Sequence, residues 1–186
     1  MNLGQTYLDH YATYLGTADP TVHTRVPYDQ SGVQLFDCPG ALPDTHVLVT
    51  LGLTHFQDRL RAVTELIFPV SVLDGDVLQA AGASVGFLLQ LGVPISEITT
   101  LRHLHRTAPD FARRFGKTAV TFVPPFPFPD AFAHVPLLPS EMTGSVWMAV
   151  FLSEAEVHLS NTQGFDALAD ALDGVDVIDL GRPSSV

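Results

Sequence analysis

Gly82-Ala83-Ser84-Val85-Gly86 matches Gly-x-Ser-x-Gly, the spacing of a nucleophile elbow that presents a serine for acyl transfer. Asp130 and His158 follow in a triad order, so a serine hydrolase built on Ser84, Asp130 and His158 is one reading of this chain. An elbow needs a strand before the serine and a sharp turn at it. Val77 to Ala81 instead continue a helical spacing, which puts Ser84 inside a helix among small residues that let helix and sheet pack closely. His103-x-His105 would share a face only on a strand. No third metal ligand is specified and Arg102 and Arg106 flank the pair, so surface histidines are expected. Arg102, Arg106, Arg113, Arg114 and Lys117 read as a local ion-pairing face. The single cysteine, Cys38, has no neighbouring base to activate it, and it excludes an internal disulfide framework. Glycine-rich phosphate-binding patterns are absent. The chain is therefore read as a non-enzyme without cofactor or metal.

One further carboxylate stands out. Glu65 is the odd residue in the apolar run Val63 to Phe68, where strand alternation places it on the face of Val63 and Ile67. A carboxylate there should be paired, with an arginine as one candidate, or hydrogen-bonded, unless that face is open to water; structural pairing is expected over catalysis.

The elements that must position these groups follow from period and caps. Leu3, Tyr7, Tyr11 and Leu15 predict a helix over 3–15 that Gly16 stops. The Pro-, Gly- and Asp-rich segment 19–43 holds one short strand, Val33 to Phe36. Strands are predicted at 46–51, 62–69, 119–123, 133–138, 146–152 and 175–180, with an exposed polar loop from Thr54 to Leu60. A helix over 76–91 ends at Gly92, and residues 98–117 are mixed. Pro124-Pro125-Phe126-Pro127-Phe128-Pro129 can be neither a central strand nor a helix. Ser153-Glu154-Ala155-Glu156 reads as a capping box opening a helix that runs to about Leu172, with Asn161 and Gly164 weakening its middle. This order gives an α+β fold: one domain, 1–186, with a central mixed β-sheet and about three helices.

Of 186 residues, 46% are hydrophobic and 16% charged, which predicts a packed globule. The uncharged span 77–95 holds Gln79, Ser84, Gln90 and three glycines and reads as a buried helix, not a membrane span. No signal peptide is read at the N-terminus, so a cytoplasmic location is expected. The net charge is -11, and residues 124–186 carry nine acids against Arg182 alone. Such a body repels nucleic-acid phosphates and attracts a basic protein partner. Phe126, Phe128, Asp130, Asp170, Asp173 and Asp176 are the candidate partner-binding residues. A structural or assembly module using the 124–129 loop is a further alternative.

The stretch His46 to Pro69 pairs a strand run ending in Thr50-Leu51-Gly52-Leu53-Thr54 with a second strand carrying Glu65. That pairing resembles the suppressor of fused domain. Ser153 to Glu156 followed by Gly164-Phe165-Asp166-Ala167-Leu168 is similar to that family's late helix, and Asp179 with Arg182 to its closing Asp-x-x-Arg. Thr50, Gly52, Thr54, Glu65, Glu156, Gly164, Asp179 and Arg182 are the signature positions the resemblance picks out. Ser153 stands where the family often has Thr, and residues 98–130 match none of its motifs. The resemblance implies an α+β domain without catalytic residues that holds another protein. Larger animal relatives hold zinc-finger transcription factors of the Hedgehog pathway. Single-domain bacterial relatives resemble immunity proteins that neutralise toxins, which for this acidic chain points to a basic toxin domain.

Overall fold

Apolar runs and helical spacings alternate along the chain, and most settle into the element their period favours. The computed structural model describes residues 2–16, 21–28, 31–95, 99–137 and 142–186. Helix α1 (Leu3–Leu15) starts where the Asn2 side chain accepts from the Gln5 N–H and stops at Gly16. Strands β1 (Thr21–Tyr28), β2 (Ser31–Asp37) and β3 (His46–Leu51) follow. A 3-10 turn (Leu53–Phe56) and the short α2 (Gln57–Leu60) lead into β4 (Thr64–Val70). Asp74 caps α3 (Gly75–Leu91) by accepting from the Asp76 and Val77 N–H groups at 3.0 and 3.1 Å. Then come β5 (Thr100–Arg102), α4 (Leu104–Thr107), α5 (Pro109–Phe115) and β6 (Lys117–Val123). A second 3-10 turn (Asp130–Ala133), β7 (His134–Pro136), β8 (Thr143–Ser153), α6 (Glu154–Gln163) and α7 (Phe165–Leu172) complete the order.

All eight strands form one mixed sheet, ordered β1-β2-β3-β4-β8-β6-β5, with β7 also paired to β8. β1 to β4 form an antiparallel meander, β4 and β8 run parallel, and β6 is antiparallel to both β8 and β5. Period-2 alternation splits the core between the two faces. Leu35, Leu48, Leu66, Phe68, Phe122 and Phe151 pack under α3, α4 and α5. Val47, Val49, Ile67, Met148, Val150 and Leu152 pack under α1, the second 3-10 turn, α6 and α7. The fold is α+β.

Several expectations need correction. Seven α-helices are present among the described residues, not about three, because α2, α4 and α5 are too short to show a helical period. The helix expected to run from Ser153 to about Leu172 is two helices. Gly164 breaks it with φ 95° and ψ 170°, a backbone only glycine adopts readily. The segment 54–60 is a 3-10 turn and the short α2, not a loop: His55, Gln57, Asp58 and Arg59 are exposed as expected, but Thr54 and Leu60 are buried. The 175–180 segment is a chain of turns, where Asp176 and Asp179 side chains accept from the Ile178 and Gly181 N–H groups in place of a strand partner. The short strand at 33–36 is the middle of β2, and β1 lies before it in the segment read as turns; residues 19–20 and 29–30 of that segment are outside the described residues. Residue 98 of the mixed region and residue 138 of the predicted 133–138 strand are likewise outside them.

Candidate functional site

Two buried carboxylates organise the signature positions. Glu65 is fully buried on β4. Its Oε1 accepts from the N–H groups of Gly52 (2.8 Å) and Thr54 (3.2 Å), and its Oε2 from the Thr50 hydroxyl (2.7 Å) and the Leu53 N–H (3.3 Å). Of the two expectations, hydrogen bonding holds and an arginine partner does not: the donors are the Thr50 hydroxyl and backbone N–H groups that the start of a 3-10 turn leaves free. Burial pushes the Glu65 carboxyl above its ordinary value, against the downward pull of those four bonds. Tyr7 and Tyr11 of α1 pack nearby, and burial first and then the Glu65 charge push both phenols up. The Tyr11 hydroxyl donates to the Thr50 carbonyl at 3.2 Å. Helix α1 is thus tied over the network.

Gly52 lets the turn leave β3. Its φ is 116°, and a Cβ there would meet the Gly32 carbonyl oxygen at 2.9 Å. Gly52→Ala combines a strained backbone with a clash against the sheet, and is expected to lower the unfolding free energy by about 2–4 kcal/mol in urea denaturation.

The second carboxylate, Glu156, is fully buried at the start of α6. It completes the expected capping box: its Oε2 accepts from the Ser153 N–H at 2.7 Å and Ser153 Oγ accepts from the Glu156 N–H at 3.3 Å. Arg182 grips it from the tail through both terminal nitrogens, and also donates to the Phe151 carbonyl at 3.2 Å. The Ser185 N–H adds a bond at 3.1 Å, and the buried Lys117 donates to the Arg182 carbonyl at 3.2 Å. Burial raises the Glu156 carboxyl, but the Arg182 and N–H bonds outweigh it and hold it down to about 2. Asp179 shapes the approach of the tail by accepting from the Gly181 N–H at 2.8 Å. Thr50, Gly52, Thr54 and Glu65 therefore meet in one network, and Glu156, Asp179 and Arg182 gather around another, with Gly164 at the α6–α7 break.

The groups that read as chemistry are used internally. Ser84 is fully buried within α3, and its hydroxyl donates to the Ala80 carbonyl at 2.8 Å. The sheet lies between α3 and the elements carrying Asp130 and His158, both exposed, so the three do not form a triad. Gly82 and Gly86 face Val26 of β1, where added Cβ atoms would meet its methyls at 3.4 and 3.7 Å; close helix–sheet packing explains the small residues. Ser84→Ala is expected to change stability by less than about 1 kcal/mol in urea denaturation, and to leave any activity on ester substrates unaltered.

His103 is not on the surface as expected: it is buried, stacked on Phe87 at 4.7 Å between centroids, while His105 is exposed. Burial pushes the His103 imidazole down to about 4. Cys38 is buried, and burial pushes its thiol up to about 12. Arg102 pairs with Glu154, Arg113 with Asp110, and Arg114 with Asp74 and Asp76, three of the five cations expected to form an ion-pairing face; Lys117 is buried instead and donates to the Arg182 carbonyl. Among the described residues no group of three or more His, Cys, Asp or Glu could hold a metal ion, and no helix is long and apolar enough to cross a membrane.

Of the partner-binding candidates, Phe126 is 64% exposed, whereas Phe128 turns inward against Phe132 at 4.8 Å. Asp130, Asp170, Asp173 and Asp176 are exposed. The chain's folding brings Phe126 and Asp173 to the lining of one pocket.

No protein-family model matches the chain, and no curated protein matches it. Among solved structures it is similar to the crystal structure of a protein described as a SUFU (suppressor of fused protein) homolog from Neisseria gonorrhoeae. The TM-score is 0.77 and the identity 16%, with 100% of this chain and 98% of that chain covered. A likeness that spans both chains at so low an identity is one of architecture, and the chain has a suppressor of fused-like fold.

Proposed function

We propose that this chain is a non-catalytic protein-binding domain that acts in the bacterial cytoplasm as an immunity protein, holding and neutralising a basic toxin domain. The observation that carries the reading is the exposed C-terminal third. Phe126 is exposed there and lines one pocket with the exposed Asp173; Asp166, Asp170 and Asp176 are exposed on the neighbouring segment, while Arg182, the one Lys or Arg of residues 124–186, is buried against Glu156. An exposed aromatic side chain on an acidic surface suits recognition of a partner of the opposite sign. The polar clusters are buried in structural roles, which leaves the surface as the place for function. The fold likeness supports the reading through the family resemblance, whose single-domain bacterial members look like immunity proteins.

Co-expression with the toxin encoded beside the gene tests it. Rescue of growth and co-purification of the two chains, weakened by added salt, are expected. Failure to bind any product of a neighbouring gene overturns the proposal.

A further inference from the structure

Helix α7 and the loop after β6 do not close over the sheet. They leave a half-enclosed hollow of about 620 Å³. Val123 and Val150 of the sheet line it, together with Phe165, Leu168 and Leu172 of α7 and Val177 of the tail. Its surface is overwhelmingly apolar. The Thr121 hydroxyl in the lining is already engaged, donating to the Thr99 carbonyl at 3.2 Å and accepting from the Thr100 hydroxyl at 3.2 Å. Phe126 lines this hollow and also a second, of about 290 Å³, formed within the proline-rich loop. The exposed ring therefore stands as a ridge between two depressions. Asp173 lines the larger one, and Asp166, Asp170 and Asp176 are exposed on the same segment.

We propose that this hollow is the docking site for a basic peptide segment of a partner protein. The segment inserts a large apolar side chain between α7 and the 124–128 loop and sets Lys or Arg side chains against the aspartates. The proposal rests on the protein-binding reading above and assigns its surface.

Charge and bonding select this occupant. A small molecule would fit the volume, but of the polar side chains in the lining Thr121 is already engaged and Asp173 is exposed, which leaves little to orient a small ligand and favours a cationic one. A second copy of the chain would bring its own aspartates against these, in a body of net charge -11. An anionic lipid or nucleic-acid surface is repelled in the same way. A cationic segment with an apolar anchor satisfies both features: the anchor removes apolar surface from water, and the charges steer its approach.

Three synthetic peptides of one length test it by binding-induced amide shifts in NMR: an amphipathic Leu/Phe/Lys sequence, oligolysine, and the amphipathic sequence with Glu in place of Lys. The cationic amphipathic peptide should shift Val123, Ala169 and Val177, and added salt should weaken it. The other two should bind about tenfold more weakly or not at all. Ala169→Arg, at an exposed α7 position in the lining, should cut binding about tenfold at an unchanged Tm, and Phe126→Ala should act in the same direction. Equal binding of oligolysine, shifts confined to another surface, or full binding by Ala169→Arg overturns the assignment. So does a concentration-dependent dimer that Ala169→Arg abolishes, since the occupant is then a second copy. If the neighbouring toxin binds wild type and Ala169→Arg alike, the groove assignment fails and the protein-binding reading stands. If the toxin does not bind wild type, that reading fails.

Discussion

Glu65→Ala is expected to lower the unfolding free energy by about 3–6 kcal/mol, a large part of the roughly 5–15 kcal/mol that holds a domain of ordinary stability together. The substitution leaves the N–H groups of Gly52, Leu53 and Thr54 without their acceptor in a buried site, and frees the Thr50 hydroxyl. Each orphaned buried donor costs about 1–3 kcal/mol, and water entering the vacated space offsets part of it. Glu65→Gln keeps the shape and one acceptor oxygen but turns an amide NH2 toward backbone donors, so its loss should be smaller. The two variants also differ from wild type in pH dependence. Burial raises the folded carboxyl above its ordinary value of 4.5. The unfolded chain therefore ionises first, and the Glu65 contribution is fully present below that value and is lost as pH rises through the folded one. Glu65→Gln abolishes this pH dependence. Urea midpoints measured across pH would show it, and a Glu65→Ala loss below about 1 kcal/mol would sink the account.

The sheet's central elements were legible because their signals are local. The Val47 to Thr50 run, the 76–91 periodicity and the Ser153–Glu156 box each carry a period or a cap within a few residues. β1 was hidden for a physical reason. Val22, Thr24, Val26 and Tyr28 do alternate with polar or kinking residues, but Pro27 and the surrounding Gly and Asp residues mimic a turn region. Pro27 is tolerated because β1 is an edge strand, which leaves one side without a sheet partner. The sequence marks Glu65 as a carboxylate that must be paired or hydrogen-bonded, but not which donors it takes. Backbone N–H groups leave no mark in residue type, whereas an arginine does. Phe126 and Phe128 have near-identical sequence surroundings, yet one is exposed and the other packs on Phe132; only the path of the loop separates them. Glu156 and Arg182 each stand out in the sequence, but their pairing does not, because they are 26 positions apart across two helices and an irregular tail.

That pairing carries the other large effect. Arg182→Met should lower the unfolding free energy by about 3–5 kcal/mol, because it leaves the Glu156 carboxylate buried without its counter-charge. It also removes the donor to the Phe151 carbonyl. Arg182→Lys should rescue little. A point ammonium cannot reproduce the two-nitrogen grip on Glu156, and the buried Lys117, already held down by burial and by the Arg182 charge, marks a site that resists further ammonium. Adding Glu156→Gln to Arg182→Met should recover part of the loss, since the carboxylate left without its arginine is then gone. The sign of the pH effect is opposite to that of Glu65. The folded Glu156 carboxyl sits at about 2, below its ordinary 4.5, so its contribution is present above 4.5 and is lost as pH falls from there toward about 2. Wild type should therefore weaken across that acid window, and Arg182→Met should weaken less, having lost the strongest of the interactions that hold the carboxyl down while the Ser153 and Ser185 N–H bonds remain. Superimposable acid limbs for the two proteins, in urea midpoints taken from neutral pH downward, would show that the tail arginine is not what keeps Glu156 ionised.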